Sequence, residues 1–309
     1  MRENLNLLYP FIFLFGLSLG SFINVVIHRL PIILQRQWQD ELSAWQSESM
    51  LFADNSLQAN TSAQPQLNQK HVQQTEPEAL PESYNVAWPG SHCPHCLHKI
   101  APYDNIPLIS FLLLKGRCRH CKTTISLRYP LIELLAGSLA LVSTVQFGFT
   151  LEAIVYFSVS LCLLALLTID LNTQLLPDTL TIPLLWAGLL FHSVTNKSQL
   201  DLYLWGAVAG YLVLWSVYWL FKLLTGKEGM GYGDFKLLAA IGAWAGWIAL
   251  PPIMLISALS GLVMALLLRL TKKSPPGSAI PFGPALAIAG WLVLYFPDTI
   301  QRLMQSLFI

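Results

Sequence analysis

LLYPFIFLFGLSLGSFINVVI, residues 7–27, carries no charged side chain. As a helix rising ~1.5 Å per residue, it crosses the ~30 Å of bilayer hydrocarbon. Only Arg2 precedes it as a basic residue, and Gly20-Ser21-Phe22-Ile23-Asn24 lacks an A-x-A-like cleavage site. It therefore reads as a span and not as a cleaved signal segment. Seven similar runs follow, at 130–149, 151–169, 179–194, 202–221, 235–250, 252–268 and 280–296. The 309 residues are 54% apolar and only 11% charged, far from the balance of a soluble domain. The expected fold is an all-α polytopic membrane protein of about eight transmembrane helices, with the lipid bilayer as its solvent. A net charge of +1 singles out no polyanionic partner, and no nucleic acid is expected.

Placement of charge says more than its sum. Eight crossings put both termini on one side. With the termini outside, all 18 Lys and Arg except Arg2, Lys197 and Arg302 fall on inner segments or membrane edges. Arg29, Arg36, Arg117, Arg119, Lys122 and Arg128 lie near the ends of the one long loop, where the positive-inside rule holds best. The expectation is a multi-pass membrane protein with both termini outside and a cytoplasmic long loop.

That loop divides the chain into a first transmembrane helix in 1–28, a polar cytoplasmic linker in 29–87, a cytoplasmic metal-binding domain in 88–128 and a seven-helix membrane domain in 129–309. The linker is rich in Gln, Asn, Ser and Ala, which bury too little to fold alone. Trp38, Leu42 and Trp45 recur at helical spacing, so residues 36–52 read either as an amphipathic helix on the inner surface or as linker with chance aromatics. In 88–128, punctuated by Pro89, Gly90, Pro94, Pro102, Pro107 and Gly116, Cys93-Pro-His-Cys96 and Cys118-Arg-His-Cys121 form two C-x2-C pairs with 21 residues between them. Two such knuckles supply four thiolates to one structural, tetrahedral Zn2+. A reducing cytoplasm favours thiolate-metal bonding over disulfides, and a redox pair is the competing reading. His92, His95, His98 and His120 crowd the knuckles and are expected beside the metal or in solvent. Cys162 reads as a small buried hydrophobe.

Beyond the knuckles the acids in or beside the spans are Glu133, Glu152, Asp170, Asp178, Asp201 and Asp234. Ionisable groups at such places are functional candidates. Glu152 and Asp201 fall in outer connections and are expected to be solvated. Glu133 is expected to pair with Arg128 or a facing helix, and Asp178 to cap the span it opens. Asp170 closes the third span and Asp234 opens the sixth, so the topology brings both to the cytoplasmic edge. Two carboxyl groups in reach of each other share one proton, one acting as base on water and the other as acid. Such a pair hydrolyses a peptide without metal or nucleophile. Capping is the competing role for Asp234. Gly229, Gly231 and Gly233 before it allow close approach and positive φ, which suits a substrate cleft. They form no phosphate loop, since the spacing is not G-x-G-x-x-G.

These residues resemble the type IV prepilin peptidases, bifunctional leader peptidases and N-methyltransferases of the inner membrane. Residues 20–31 resemble the family's first-span signature and the C-x2-C pairs its zinc domain. Residues 169–178 and 229–236 resemble its aspartate motifs, and Pro281-Phe282-Gly283-Pro284 the motif near its last span. The resemblance implies catalytic Asp170 and Asp234, with Gly231, Gly233 and Lys236 as motif neighbours, and structural zinc on Cys93, Cys96, Cys118 and Cys121. It implies S-adenosyl-L-methionine as methyl donor and prepilins or pseudopilins as protein substrates, cut after a glycine and methylated on the new amino terminus.

A transporter with a structural zinc domain would place its acids near the bilayer midplane. A secretion-assembly scaffold would tolerate Asp-to-Asn changes at 170 and 234. A presenilin-type intramembrane protease shares Gly-x-Gly-Asp but not the zinc loop or the 170–177 motif.

Overall fold

The computed structural model describes residues 8–57, 84–227, 229–270 and 281–308. The Gln-rich residues 58–83 and residue 280, the expected start of the last span, lie outside them. The described residues form helices α1 (Leu8–Leu57), α2 (Ile109–Leu113), α3 (Arg128–Phe147), α4 (Leu151–Thr173), α5 (Asp178–Thr195), α6 (Leu200–Thr225), α7 (Tyr232–Ala245), α8 (Leu250–Leu270), α9 (Gly283–Tyr295) and α10 (Pro297–Phe308), with short 3-10 turns at Pro102–Asn105, Lys197–Gln199 and Trp247–Ala249. Contacts divide the chain into two units, 1–27 with 101–309, and 28–100.

Among the described residues there is no sheet beyond two isolated bridges, and the all-α expectation holds. Among the described residues five helices are long and apolar enough to cross a membrane, or six if α9 and α10, bent by 103°, count as one. The expected count of eight is therefore larger than length and composition support. The shortfall has local causes. Gly246, with φ 79°, ends α7 after 14 residues, about 21 Å at 1.5 Å per residue. α9 has only 13 residues, and α5 carries Asp178 and His192 among its 18. In the opposite sense, α1 does not stop at Ile27 but continues with Pro31 inside it through Leu57.

In the larger unit the short helix α7 is the centre. Phe235, Leu237, Leu238, Ala240, Ile241 and Ala243 are buried, packed with Leu166 of α4, Leu184 of α5, Leu214 of α6 and Leu286 of α9. Gly206 and Gly242 let α6 and α7 touch backbone to backbone, since a Cβ on either would collide with the other's carbonyl. α9 is pinned at its far end by a buried polar group. The Tyr295 hydroxyl lies 2.6 Å from Ser143 Oγ and 2.7 Å from Ser160 Oγ, and Trp291 Nε1 donates to Ser160 at 3.1 Å. Helices α1, α3, α6 and α8 turn large apolar side chains such as Phe15, Leu131, Leu220 and Leu262 outward. The bilayer is the medium that accepts such faces, because helices satisfy their own backbone groups.

Candidate active site

Asp170 lies in the last turn of α4, which starts at the Thr150 cap (Ala153 N–H to Oγ1, 3.3 Å) and ends in left-handed Gln174. Its side chain is only 4% exposed. The backbone N–H of Gly283, the first residue of α9, faces its carboxylate. Oδ2 nevertheless makes no hydrogen bond among the described residues. Buried carboxylate oxygens are rarely left this way, and a catalytic or proton-sharing role is one of the accepted reasons.

Asp234 is the third residue of α7 and 7% exposed. Its N–H bonds to the Gly231 carbonyl at 3.2 Å, and the Gly231 N–H faces its carboxylate. The capping role considered from sequence is thus present, with Asp234 reaching back to the residue that opens the helix. It does not exclude the other role, because Asp170 and Asp234 also lie within electrostatic reach of each other. Leu176, in the turn after α4, joins the two halves. A Cβ on Gly233 would fall 2.8 Å from Leu176 Cβ, and one on Gly283 would fall 3.2 Å from Leu176 Cδ1.

The glycine expectation needs correcting. Gly229, Gly231 and Gly233 do not use positive φ, which occurs instead at Gly226 before them. What matters is the missing side chain at Gly233, under Leu176, and at Gly229, where a Cβ would meet the Phe221 ring at 2.9 Å. Asp178 does not cap α5 through its side chain either. It accepts from Lys236 Nζ at 2.7 and 2.8 Å, tying the start of α5 to α7 two residues beyond Asp234. Among the described residues Glu133 pairs with the facing helix and not with Arg128. Its Oε2 accepts from Leu108 N–H at 2.9 Å and it bonds Ser21 on facing α1, while Arg128 donates to Asn172 Oδ1 at 2.7 Å. Glu152 and Asp201 are exposed, as expected. Cys162 is partly buried with its thiol towards the Leu180 carbonyl.

The two C-x2-C segments fold alike. Around the first, Cys93 N–H bonds to His98 O (3.0 Å), Leu97 N–H to Cys93 O (2.9 Å) and Ile100 N–H to Ser91 O (2.9 Å). The second, Cys118 N–H to Thr123 O (2.8 Å), Lys122 N–H to Cys118 O (3.1 Å) and Ile125 N–H to Gly116 O (2.7 Å), repeats that ladder position for position. Leu97 (φ 55°) and Lys122 (φ 59°) occupy the same left-handed step, and the bridges His92 to Lys99 and Arg117 to Thr124 close equivalent hairpins. Each turn presents two thiols, all four unbridged. Cys93 with Cys96 in the one unit, and Cys118 with Cys121 in the other, are each a pair of soft sulfur donors of the kind that suits zinc. Thr123 Oγ1, 3.2 Å from Cys121 Sγ, is placed to hydrogen-bond that sulfur. His92 Nδ1 lies 3.1 Å from Gly90 O and all four histidines are exposed. Beside the second knuckle, Arg119 makes a two-pronged ion pair with Asp104 (2.6–3.1 Å) that holds this carboxyl below the usual carboxylate range.

The sequence reading placed Leu176 inside the 169–178 motif without a role and missed Gly283 as part of the aspartate site. The Pro281–Pro284 motif was visible, but nothing local connects it to residue 170.

Known proteins share this pattern along nearly the whole chain. The model of the bacterial peptidase A24 N-terminal domain matches residues 14–147, and that of the type IV leader peptidase family matches residues 157–266. The prepilin leader peptidase/N-methyltransferase of Aeromonas hydrophila is 49% identical over 96% of this chain and 93% of its own. The proteins of the same name from Aeromonas salmonicida (48%, 96% and 93%) and Pseudomonas aeruginosa (45%, 94% and 90%) are similar. No solved structure gives a significant match.

Proposed function

Given that this chain belongs to the type IV leader peptidase family, we propose that it removes the leader from type IV prepilin and pseudopilin precursors at the cytoplasmic membrane edge, and then N-methylates the new amino terminus. It is a multi-pass inner-membrane enzyme acting on protein substrates. The observation that carries the peptidase reading is the buried Asp170 with its unpartnered Oδ2, in electrostatic reach of buried Asp234.

In this reading the two carboxyl groups hold one proton between them. The ionised one takes a proton from water as it attacks the scissile carbonyl, and the other donates its proton to the carbonyl oxygen. As the tetrahedral intermediate collapses and the C–N bond breaks, the first carboxyl passes the proton it took from water to the leaving amine, and the second takes back the hydroxyl proton as the carbonyl re-forms, so the pair ends as it began. Gly231 and Gly283 hold the carboxylates through their amides, and Leu176 keeps the two motifs together. By family resemblance and thiolate chemistry, Cys93, Cys96, Cys118 and Cys121 would hold a structural Zn2+. S-adenosyl-L-methionine supplies an electrophilic methyl group to the freed amine, a role supported by family membership and by the knuckle-bearing segment.

The eight-crossing topology, with periplasmic termini and cytoplasmic knuckles, belongs to the same proposal. The five long spans are joined by the 18-residue α5, which turns Trp186, Leu190 and Val194 outward as a lipid-facing helix would, and by α7 and α9, whose short length is compatible with burial inside the bundle, and the Lys and Arg distribution supports the orientation. The test is mass spectrometry of a pilin-type precursor incubated with purified protein, with and without S-adenosyl-L-methionine. Leader loss in both samples, plus about 14 mass units with the donor, is expected. An uncut precursor, with a related enzyme active on it, sends the assignment back to a transporter or scaffold.

A further inference from the structure

α9 begins where α4 ends. Its first residue, Gly283, is preceded by Phe282 and followed by Pro284, so its N–H is one of the few free amide donors at this helix start. The N–H faces the Asp170 carboxylate. A Cβ built on Gly283 would lie 2.5 Å from Asp170 Oδ2 and 3.1 Å from Asp170 Cγ, so the carboxylate rests directly on the glycine. The other end of α9 is tied to α3 and α4 by the Tyr295, Ser143 and Ser160 hydroxyls. The helix start is therefore fixed against the acid and not free to retreat from an added side chain.

We propose that Gly283 is a positioning residue of the aspartate site, its bare Cα and amide setting where Asp170 Oδ2 meets the attacking water. The inference rests on the peptidase reading above. It also explains the composition of the Pro281–Pro284 motif, in which Pro284 presets the first turn and Gly283 leaves the volume that Oδ2 occupies, while Leu176 from the turn after α4 packs on both Gly283 and Gly233.

The experiment is steady-state cleavage of a pilin-type precursor by the purified full chain, over a range of pH, with melting temperatures. Gly283→Ala is expected to lower kcat about a hundredfold, the scale set by misplacing a reacting group by about 1 Å. KM should stay within about twofold, and the residual activity should show a displaced pH profile. Two controls make the same chemical change elsewhere. Gly261→Ala meets only ordinary contacts at 3.7 Å and should be near normal. Gly290→Ala, on α9 against Ile241 at 2.8 Å, should lower the melting temperature and leave the pH profile in place. Leu176→Ala with Gly283→Ala removes the apolar neighbour but keeps the collision with Asp170, so activity should stay lost. If Gly283→Ala does not accumulate as folded protein, this double variant, read against Leu176→Ala alone, carries the test: a further loss with a displaced pH profile is expected, and equal activity of the two overturns the inference. Near-normal kcat in Gly283→Ala, recovery in the double variant, or a loss matching Gly290→Ala with an unmoved pH profile overturns the inference. Asp170→Asn separates it from its premise: an inactive Asp170→Asn beside an active Gly283→Ala removes only the positioning role, whereas an active Asp170→Asn removes the peptidase reading itself.

Discussion

Asp178 and Lys236 show how side chains around the site divide into those that react and those that hold. Their ion pair is short, but the side chains are 56% and 35% exposed, so solvent screens most of the attraction. A double-mutant thermal cycle with Asp178→Asn and Lys236→Met should therefore return a coupling of about 0.2–1 kcal/mol. Asp104 gives a second check among single residues. Its carboxyl is lowered chiefly by the hydrogen bond from Arg119, so the pair favours the folded segment above the unfolded carboxyl value near 3.9 and loses that contribution as pH falls through the lower folded value. Arg119→Leu should return the Asp104 titration, followed by carboxyl NMR, to the ordinary range. Asp170 and Asp234 were legible in the sequence because ionisable groups in apolar runs are conspicuous. The partner of Asp178 was not, because a cap is a local rule and Lys236 sits 58 residues away. For Glu133 the facing-helix alternative was the right one, through Ser21 of α1, whereas the Leu108 amide, 25 residues away, was not foreseen.

Among elements, the paired knuckles were the most legible feature. C-x2-C dictates a tight turn with inward thiols, and the two hydrogen-bond ladders coincide. Cys118→Ser with Cys121→Ser, or Cys93→Ser with Cys96→Ser, should abolish zinc in elemental analysis and impair methylation. Zinc unchanged in either double variant contradicts the four-thiolate site. Helix limits were the least legible. Hydropathy placed a span at 235–250, but Gly246 breaks the helix at Ala245, and no apolar count registers a positive φ. The end set for α1 at Ile27 came from bilayer thickness, which limits a span and not a helix. At the crossing of α6 and α7, Gly242→Ala forces a Cβ into the Gly206 carbonyl. It should destabilise the protein by about 1–3 kcal/mol, the usual cost of overpacking, read as a lowered melting temperature in detergent.

Across the full chain, polarity and the bilayer decide the arrangement. Outward leucines and phenylalanines of the long helices face lipid, while the short α7, nearly all buried, carries Asp234 inside the bundle. The proposed orientation predicts that an epitope inserted after Lys197 is reached from the periplasm in intact cells, and one after Lys115 only after the inner membrane is opened. The opposite labelling reverses the topology. Above all, Asp170 and Asp234 are proposed to act as one unit, and the sharpest test is single-turnover cleavage of a precursor by Asp170→Asn, Asp234→Asn and the double variant. Residues that share one step are not additive, so each single variant should be inserted, folded and inactive, and the double no slower than either. A near-normal rate in either single variant, or losses that simply multiply in the double, would rule out the shared-proton pair.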